Sequence, residues 1–317
     1  MVDRDGSKAD MPPRRPDFFI VGAPKCGTTA LCTYLRPHPD VFMPELKDVN
    51  FFCPDLNIHV ETLDEPDYLS LFIPGIGKKR IGEASVWYLY SLHAAAAIKT
   101  FNPDARIIIM LRQPIDMLYA LHSQRLYDGT ETIADFETAL ECQSPRRSRY
   151  AGLLFSNPPI EPFSLDVGRY AERVARYLDV FGFDKVKVII FDDLKRDTKS
   201  IYQSVLEFLE LKREFTPPFD IVNANRHVHN RLLHRIVRRP SRVVRGVARI
   251  LVPPRLRPVV AATILDLNSH PAPRVPLAVD LRQRLTTELA AHVMKLGRLL
   301  GRDLTHWIYA PAPSART

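Results

Sequence analysis

Phe18-Phe19-Ile20-Val21-Gly22-Ala23-Pro24-Lys25-Cys26-Gly27-Thr28-Thr29-Ala30-Leu31 is the stretch on which the reading of this chain turns. An apolar run passes into a short polar loop and then into helix-forming sequence, the order strand, turn, helix. Such a turn sets backbone N–H groups at a helix N-terminus, where the helix dipole favours an anion. Gly27 lets backbone approach a phosphate closely. Thr28 and Thr29 add hydroxyl donors, and Lys25 adds a point charge. The spacing of Gly22 and Gly27 is that of loops that cradle nucleotide phosphates, which carry a Lys and then a Thr or Ser after the second glycine. Here a Thr follows Gly27 and the Lys sits inside the loop. The pairing that supports Mg²⁺ in those loops is therefore missing.

Outward from this turn, strand-like and helix-like stretches alternate. Strands are expected at Phe18–Val21, Arg80–Glu83, Ala105–Leu111 and Lys185–Phe191. Helices are expected at Thr29–Leu35, Ser91–Thr100, Asp116–Tyr127, Phe136–Cys142, Gly168–Phe181, Lys199–Leu209 and Leu277–Leu300, with Gly301 as a stop and Asn268–Pro276 as a loop. This alternation predicts an α/β fold: a doubly wound parallel sheet flanked by helices, with a helical C-terminal cover. Ligands bind such sheets at the carboxyl ends of the strands, where the Gly22–Thr29 loop falls. One domain is expected over 17–307, with a polar, Pro-rich lead-in at 1–16 and a tail at 308–317. Trp307 is expected to anchor the C-terminal end.

The chain has 317 residues, 46% of them hydrophobic, as in ordinary globular proteins. Its formal net charge is +8, which suits a polyanionic cofactor, an acidic acceptor or an anionic surface. Arg226–Pro258 holds ten arginines and no Asp or Glu, more than the whole excess. Apolar and basic residues interleave there, the pattern of an amphipathic helix touching anionic lipid or an acidic partner, or of a solvated basic flap. Nucleic acid is disfavoured, because the arginines alternate with aliphatics rather than with base-stacking aromatics. The four cysteines have no metal-ligand spacing. With no apolar leader and no membrane-length run, a cytoplasmic, at most membrane-peripheral, chain is expected.

Pro24-Lys25-Cys26-Gly27-Thr28-Thr29 resembles the Pro-Lys-X-Gly-Thr-Thr loop of the sulfotransferases that use 3′-phosphoadenosine 5′-phosphosulfate (PAPS). The resemblance implies that Pro24 to Ala30 grip the 5′-phosphosulfate, with Lys25 beside the transferring group. The donor's 3′-phosphate needs a second site. Arg112 follows the strand ARIIIML directly and offers a planar fork of donors. Leu111-Arg112-Gln113-Pro114 is similar to the family's Leu-Arg-X-Pro, but Ala120 stands where the family has a Ser. Ser123, about one helical turn on, is the substitute candidate.

An acceptor hydroxyl needs a base as it attacks sulfur. Asp48, in Leu46-Lys47-Asp48-Val49-Asn50-Phe51-Phe52, matches the acidic-X-X-Phe-Phe segment of carbohydrate-type members, where the acid is a Glu; His93 and His122 are rival bases. Gly82-Glu83-Ala84-Ser85-Val86-Trp87-Tyr88 resembles a family segment in which Glu83, Ser85 and Tyr88 are acceptor-side candidates. The expected function is thus transfer of a sulfuryl group from PAPS to a hydroxyl of a sugar, lipid or small molecule, by residues that call for no metal. The competing readings are a phosphate-loop kinase or nucleoside triphosphatase, and a non-catalytic basic binding protein.

Overall fold

Phe18–Gly22 forms the first strand, β1, of the computed structural model, and every residue in it is buried. The structure describes residues 15–56, 63–142, 165–220, 226–228, 230, 236–237, 245–246, 253, 256–272 and 274–309. Backbone contacts divide the chain into two units, Met1–Arg112 with Glu172–Asp220, and Gln113–Ala171 with Ile221–Thr317.

The first unit is built on a parallel sheet. After β1 come helix α1 (Thr28–Leu35), β2 (Val41–Phe42), α2 (Glu65–Ser70), β3 (Arg80–Ala84), α3 (Ala94–Phe101) and β4 (Arg106–Leu111). The strands lie in the order β2-β3-β1-β4-β5, all parallel, where β5 is Val186–Ile190. Ile20 faces Ala84 on one side and Ile108 on the other. Strands buried on both faces read as continuous aliphatic runs, as Ile107 to Leu111 does. The chain leaves β1 towards β2 on one side and leaves β4 towards β5 on the other. The crevice between the carboxyl ends of β1 and β4 is therefore the switch point at which such sheets bind ligands.

Helices α6 (Ala171–Phe181), α7 (Phe191–Arg196) and α8 (Thr198–Phe208) belong to this unit apart from Ala171, the first residue of α6. At the opposite end of the sheet, Arg80 Nε and Arg106 Nη1 each donate to a carbonyl at the end of α8, of Leu209 and Phe208 respectively. Cations on a helix C-terminus satisfy its orphan carbonyls and complement its dipole.

The second unit holds α4 (Pro114–Tyr127), α5 (Phe136–Glu141), α9 (Arg257–Leu267), α10 (Val279–Leu300) and α11 (His306–Tyr309). Leu281, Leu285, Leu289, Val293 and Leu296 form the buried stripe of α10. Gly301, at φ 59°, ends it, with Arg302 N–H donating to Gly297 O at 2.9 Å. Trp307 is buried, and its carbonyl accepts from Gln113 Nε2 at 3.1 Å.

Several boundaries differ from the sequence expectation for local reasons. Helix α3 starts at Ala94 rather than Ser91, because Ser91 Oγ accepts from His93 N–H and Ala94 N–H and holds 91–93 in a turn before the helix. Helix α4 starts at Pro114, whose fixed φ suits a first helical position. The strand expected over Lys185–Phe191 stops at Ile190, and α7 begins at once, with Asp192 and Asp193 in its first turn and Lys195 and Arg196 in its last. The loop expected over Asn268–Pro276 contains a strand, β7 (Ser269–Pro271), paired antiparallel with β6 (Arg226–Val228). The amphipathic reading of Arg226–Pro258 falls mostly outside the described residues. Among the described residues no helix is long and apolar enough to cross a membrane.

Candidate active site

The loop after β1 is shaped by left-handed residues. Lys25 has φ 59° and Gly27 φ 90°; a lysine in that region costs roughly 1–2 kcal/mol, strain of the kind stored at functional sites. Such residues curl successive N–H groups into an anion-binding concavity. Gly27 is required twice over. Besides its φ, a Cβ there would lie 2.9 Å from Phe191 Cδ2. Gly27 caps α1 without a side-chain hydrogen bond, and the first turn holds no acidic residue. The first N–H groups of the helix thus keep no side-chain acceptor of their own. Pro24 and Cys26 are buried beneath the loop, and Cys26 Sγ donates to Pro24 O. Lys25, Gly27, Thr29 and Ala30 are partly accessible, and Thr28 is buried.

Asp48 lies at the same end of the sheet. Its N–H donates to Ala84 O at 2.9 Å, and its Oδ1 accepts from Val86 N–H at 3.0 Å. Asp48 and Asn50 both have left-handed φ, 57° and 58°. Asn50 N–H donates to Ser85 Oγ at 3.0 Å, and Asn50 Nδ2 donates to Asp48 O at 2.7 Å. These bonds fasten the 47–52 turn to the end of β3. Lys47 reaches back from this turn to the loop, its Nζ donating to Thr28 Oγ1 at 3.3 Å and Thr29 Oγ1 at 3.1 Å.

Below the turn is a buried carboxyl group. Glu83 is 1% exposed. Its Oε1 accepts from Ser85 Oγ at 2.6 Å, and its Oε2 accepts from Tyr88 OH at 2.9 Å and Tyr68 OH at 3.1 Å. Burial pushes its pKa up to about 7, against the three hydroxyl bonds that favour the charged form; the nearby Asp48 charge adds to the rise. Tyr88 OH in turn accepts from Phe52 N–H. Glu83, Ser85 and Tyr88, expected on the acceptor side, are all buried and bonded to one another or to the turn. As they stand they brace the Asp48 turn and present no surface to an acceptor, because the polar atoms of each point inward.

Arg112 leaves the end of β4 and stacks on Phe191, its Cζ 5.0 Å from the ring centroid. Phe191 is the ring that a Cβ at Gly27 would meet, so one side chain lies against both the loop after β1 and the strand-end arginine. Lys195 Nζ stands 5.5 Å from the same centroid. Ser123 belongs to the second unit, on α4; its hydroxyl donates to Tyr119 O and accepts from Arg274 Nε. The rival bases have structural roles. His122 is buried, with Nε2 2.9 Å from Ile133 O, and burial lowers its pKa. His93 precedes α3 and gives its N–H to Ser91 Oγ. Among the described residues no cluster of three or more His, Cys, Asp or Glu could hold a metal ion.

Lys47 and Phe191 were not among the candidates. Lys47 is next to Asp48 in sequence, but its partners lie 18 and 19 residues away, a contact no local pattern announces. Phe191 reads as the last residue of an apolar strand, and nothing in that run marks it as a ring under a glycine.

The family model for the sulfotransferase domain matches residues 15–228. Mouse carbohydrate sulfotransferase 15 is 27% identical over 248 residues, covering 62% of this chain and 44% of the relative. Mouse heparan sulfate glucosamine 3-O-sulfotransferase 3B1 is 26% identical over 201 residues, covering 63% of this chain and 47% of the relative. The chain thus spans less than half the length of these curated relatives. Among solved structures, a sulfotransferase from Alicyclobacillus acidocaldarius is 29% identical with a TM-score of 0.69, covering 93% of this chain and 99% of that one. With the match running from just before β1 to β6 and taking in the Lys25 loop, Asp48 and Arg112, this chain belongs to the sulfotransferase domain family.

Proposed function

We propose that this protein moves the sulfuryl group of PAPS to a hydroxyl of a sugar acceptor. The observation that carries the reading is the pairing, at one end of the sheet, of the anion-binding turn at Lys25–Thr29 with the carboxylate of Asp48 held by Val86 N–H. The residues present fit such a donor. The first turn of α1 has N–H groups with neither a capping side chain nor an acidic neighbour. Lys25 comes three residues before that turn, Thr28 and Thr29 carry hydroxyls within it, and Arg112 stands at the adjacent strand end. When bound, the donor supplies a sulfuryl group whose bond to the phosphate oxygen breaks as the acceptor oxygen bonds sulfur, releasing adenosine 3′,5′-bisphosphate.

The chain's own residues do the rest. The loop N–H groups and Lys25 hold the oxygens on which charge builds, and electrostatic stabilisation of this kind commonly lowers the barrier to such transfers more than anything else does. Arg112 takes the 3′-phosphate through its guanidinium fork. Asp48, with Oδ1 fixed, offers Oδ2 to the proton of the attacking hydroxyl. The curated relatives are carbohydrate and heparan sulfate sulfotransferases, which supports a sugar as the acceptor class.

Thermal-shift measurements test the donor. Adenosine 3′,5′-bisphosphate should raise the melting temperature, and ATP with Mg²⁺ should not. A shift with ATP–Mg²⁺ alone would favour a kinase or triphosphatase instead.

A further inference from the structure

The 47–52 turn carries a cation as well as a carboxylate. Lys47 is half-buried, and among the described residues it forms no ion pair with any carboxylate. An ammonium removed from water without a counter-charge is costly. Its partners are instead the hydroxyl oxygens of Thr28 and Thr29, at 3.3 and 3.1 Å.

The direction of those bonds matters. An ammonium has three N–H donors and no acceptor, so both hydroxyls must accept from it. Each hydroxyl then keeps its own proton to donate elsewhere. Two O–H groups and the third N–H of Lys47 are thereby left to one neighbourhood, at the start of a helix whose first N–H groups have no side-chain cap. Donors so arranged on a positive centre call for an anion.

We infer that Lys47 is a positioning residue for the donor: it holds the lone pairs of Thr28 and Thr29 so that both hydroxyls donate to the 5′-phosphosulfate. The inference rests on the donor reading above and adds to it a residue and a role. A second consequence follows from the chain itself. Lys47 and Asp48 are consecutive, so the side chain that grips the donor loop also ties the base to it. Asp48 is held from the other side by Ala84 O and Val86 N–H. The separation between donor loop and base is thus fixed through one peptide unit.

Titration calorimetry with adenosine 3′,5′-bisphosphate, together with steady-state kinetics on PAPS, tests this. The proteins are wild type, Lys47→Met, Lys47→Arg, Thr29→Val and the double variant Lys47→Met/Thr29→Val. Lys47→Met should weaken binding about tenfold or more, the loss of roughly one charge-assisted hydrogen bond, and should raise KM for PAPS. Lys47→Arg should recover most of the affinity, which a merely structural lysine on a folded protein would not require. The double variant should bind about as weakly as the weaker single one, because Lys47 acts through the hydroxyls. Affinity unchanged in a folded Lys47→Met, or losses that add in full, would overturn the role of Lys47 and leave the donor site standing. No binding of the bisphosphate by wild type would overturn the donor reading itself, and the inference with it. Should Lys47→Met fail to fold, Lys47→Arg and Thr29→Val carry the comparison, and an unchanged KM in both would also overturn the role.

Discussion

Phe191 closes the space beside Gly27: a Cβ at position 27 would come within 2.9 Å of Phe191 Cδ2 and 3.2 Å of Leu194 Cδ2. Gly27 also stands at φ 90°, which side chains rarely adopt. Gly27→Ala should therefore open the loop rather than merely crowd it. The expected outcome is a loss of at least about tenfold in affinity for adenosine 3′,5′-bisphosphate, with about 1–3 kcal/mol lost from stability. Calorimetry and urea unfolding check the two separately. Unaltered affinity would mean that the loop does not hold the donor.

Asp48→Asn keeps the acceptor that Val86 N–H uses and removes the base. Turnover should fall about 10²–10⁴-fold, with little change in affinity for the bisphosphate. A kcat within a few-fold of wild type would assign the proton to another group.

Arg112→Ala should abolish a preference rather than binding as a whole. The wild-type protein should favour adenosine 3′,5′-bisphosphate over AMP, because only the former carries a 3′-phosphate. Removing the guanidinium should shrink that preference by about ten- to a hundredfold, the worth of a charge-assisted hydrogen-bond pair. An equal loss for both nucleotides would place Arg112 elsewhere.

Glu83 predicts a stability profile. Its folded pKa, about 7, lies above the ordinary glutamate value, so the folded protein keeps a proton that the unfolded chain gives up. The contribution is fully present below about pH 4.5, declines as pH rises towards 7 and is gone above it, up to about 3 kcal/mol in all. Glu83→Gln is neutral throughout and should flatten this part of the profile. Urea unfolding between pH 4.5 and 8 reads it, and identical slopes in the two proteins would contradict the assignment.

The sheet was legible where strands were long and aliphatic. Phe18–Gly22 and Ile107–Leu111 are buried on both faces, and that burial writes a continuous apolar run. β2 has two residues and could leave no such signal. Helix α2 was not among the expected helices, although its start carries a cap signal: Asp64 accepts from Asp67 N–H at 2.8 Å, and Pro66 sits in the first turn. Among the candidate site residues, Lys25 and Gly27 stood out from the chemistry of a strand–turn–helix loop, and Asp48 from the resemblance of its segment to the family's acidic-X-X-Phe-Phe pattern. The bracing groups did not, because their work is done across the chain. Glu83 was read as an acceptor-side candidate from its own segment, which does not announce its burial or its bond from Tyr68, fifteen residues earlier. Arg112 was a candidate from its place at a strand end and its Leu-Arg-X-Pro context, whereas the Phe191 ring on which it stacks follows the neighbouring strand and carries no chemical mark.

The most direct measurement is transfer of labelled sulfate from PAPS to a panel of sugars by wild type and by Lys25→Ala. Wild type should transfer sulfate, and Lys25→Ala should lose about 10²–10³-fold in rate, with the melting temperature little changed. Near-wild-type turnover in Lys25→Ala, or no transfer from PAPS to any hydroxylated acceptor by wild type that binds the bisphosphate, would contradict sulfuryl transfer at the Lys25 loop.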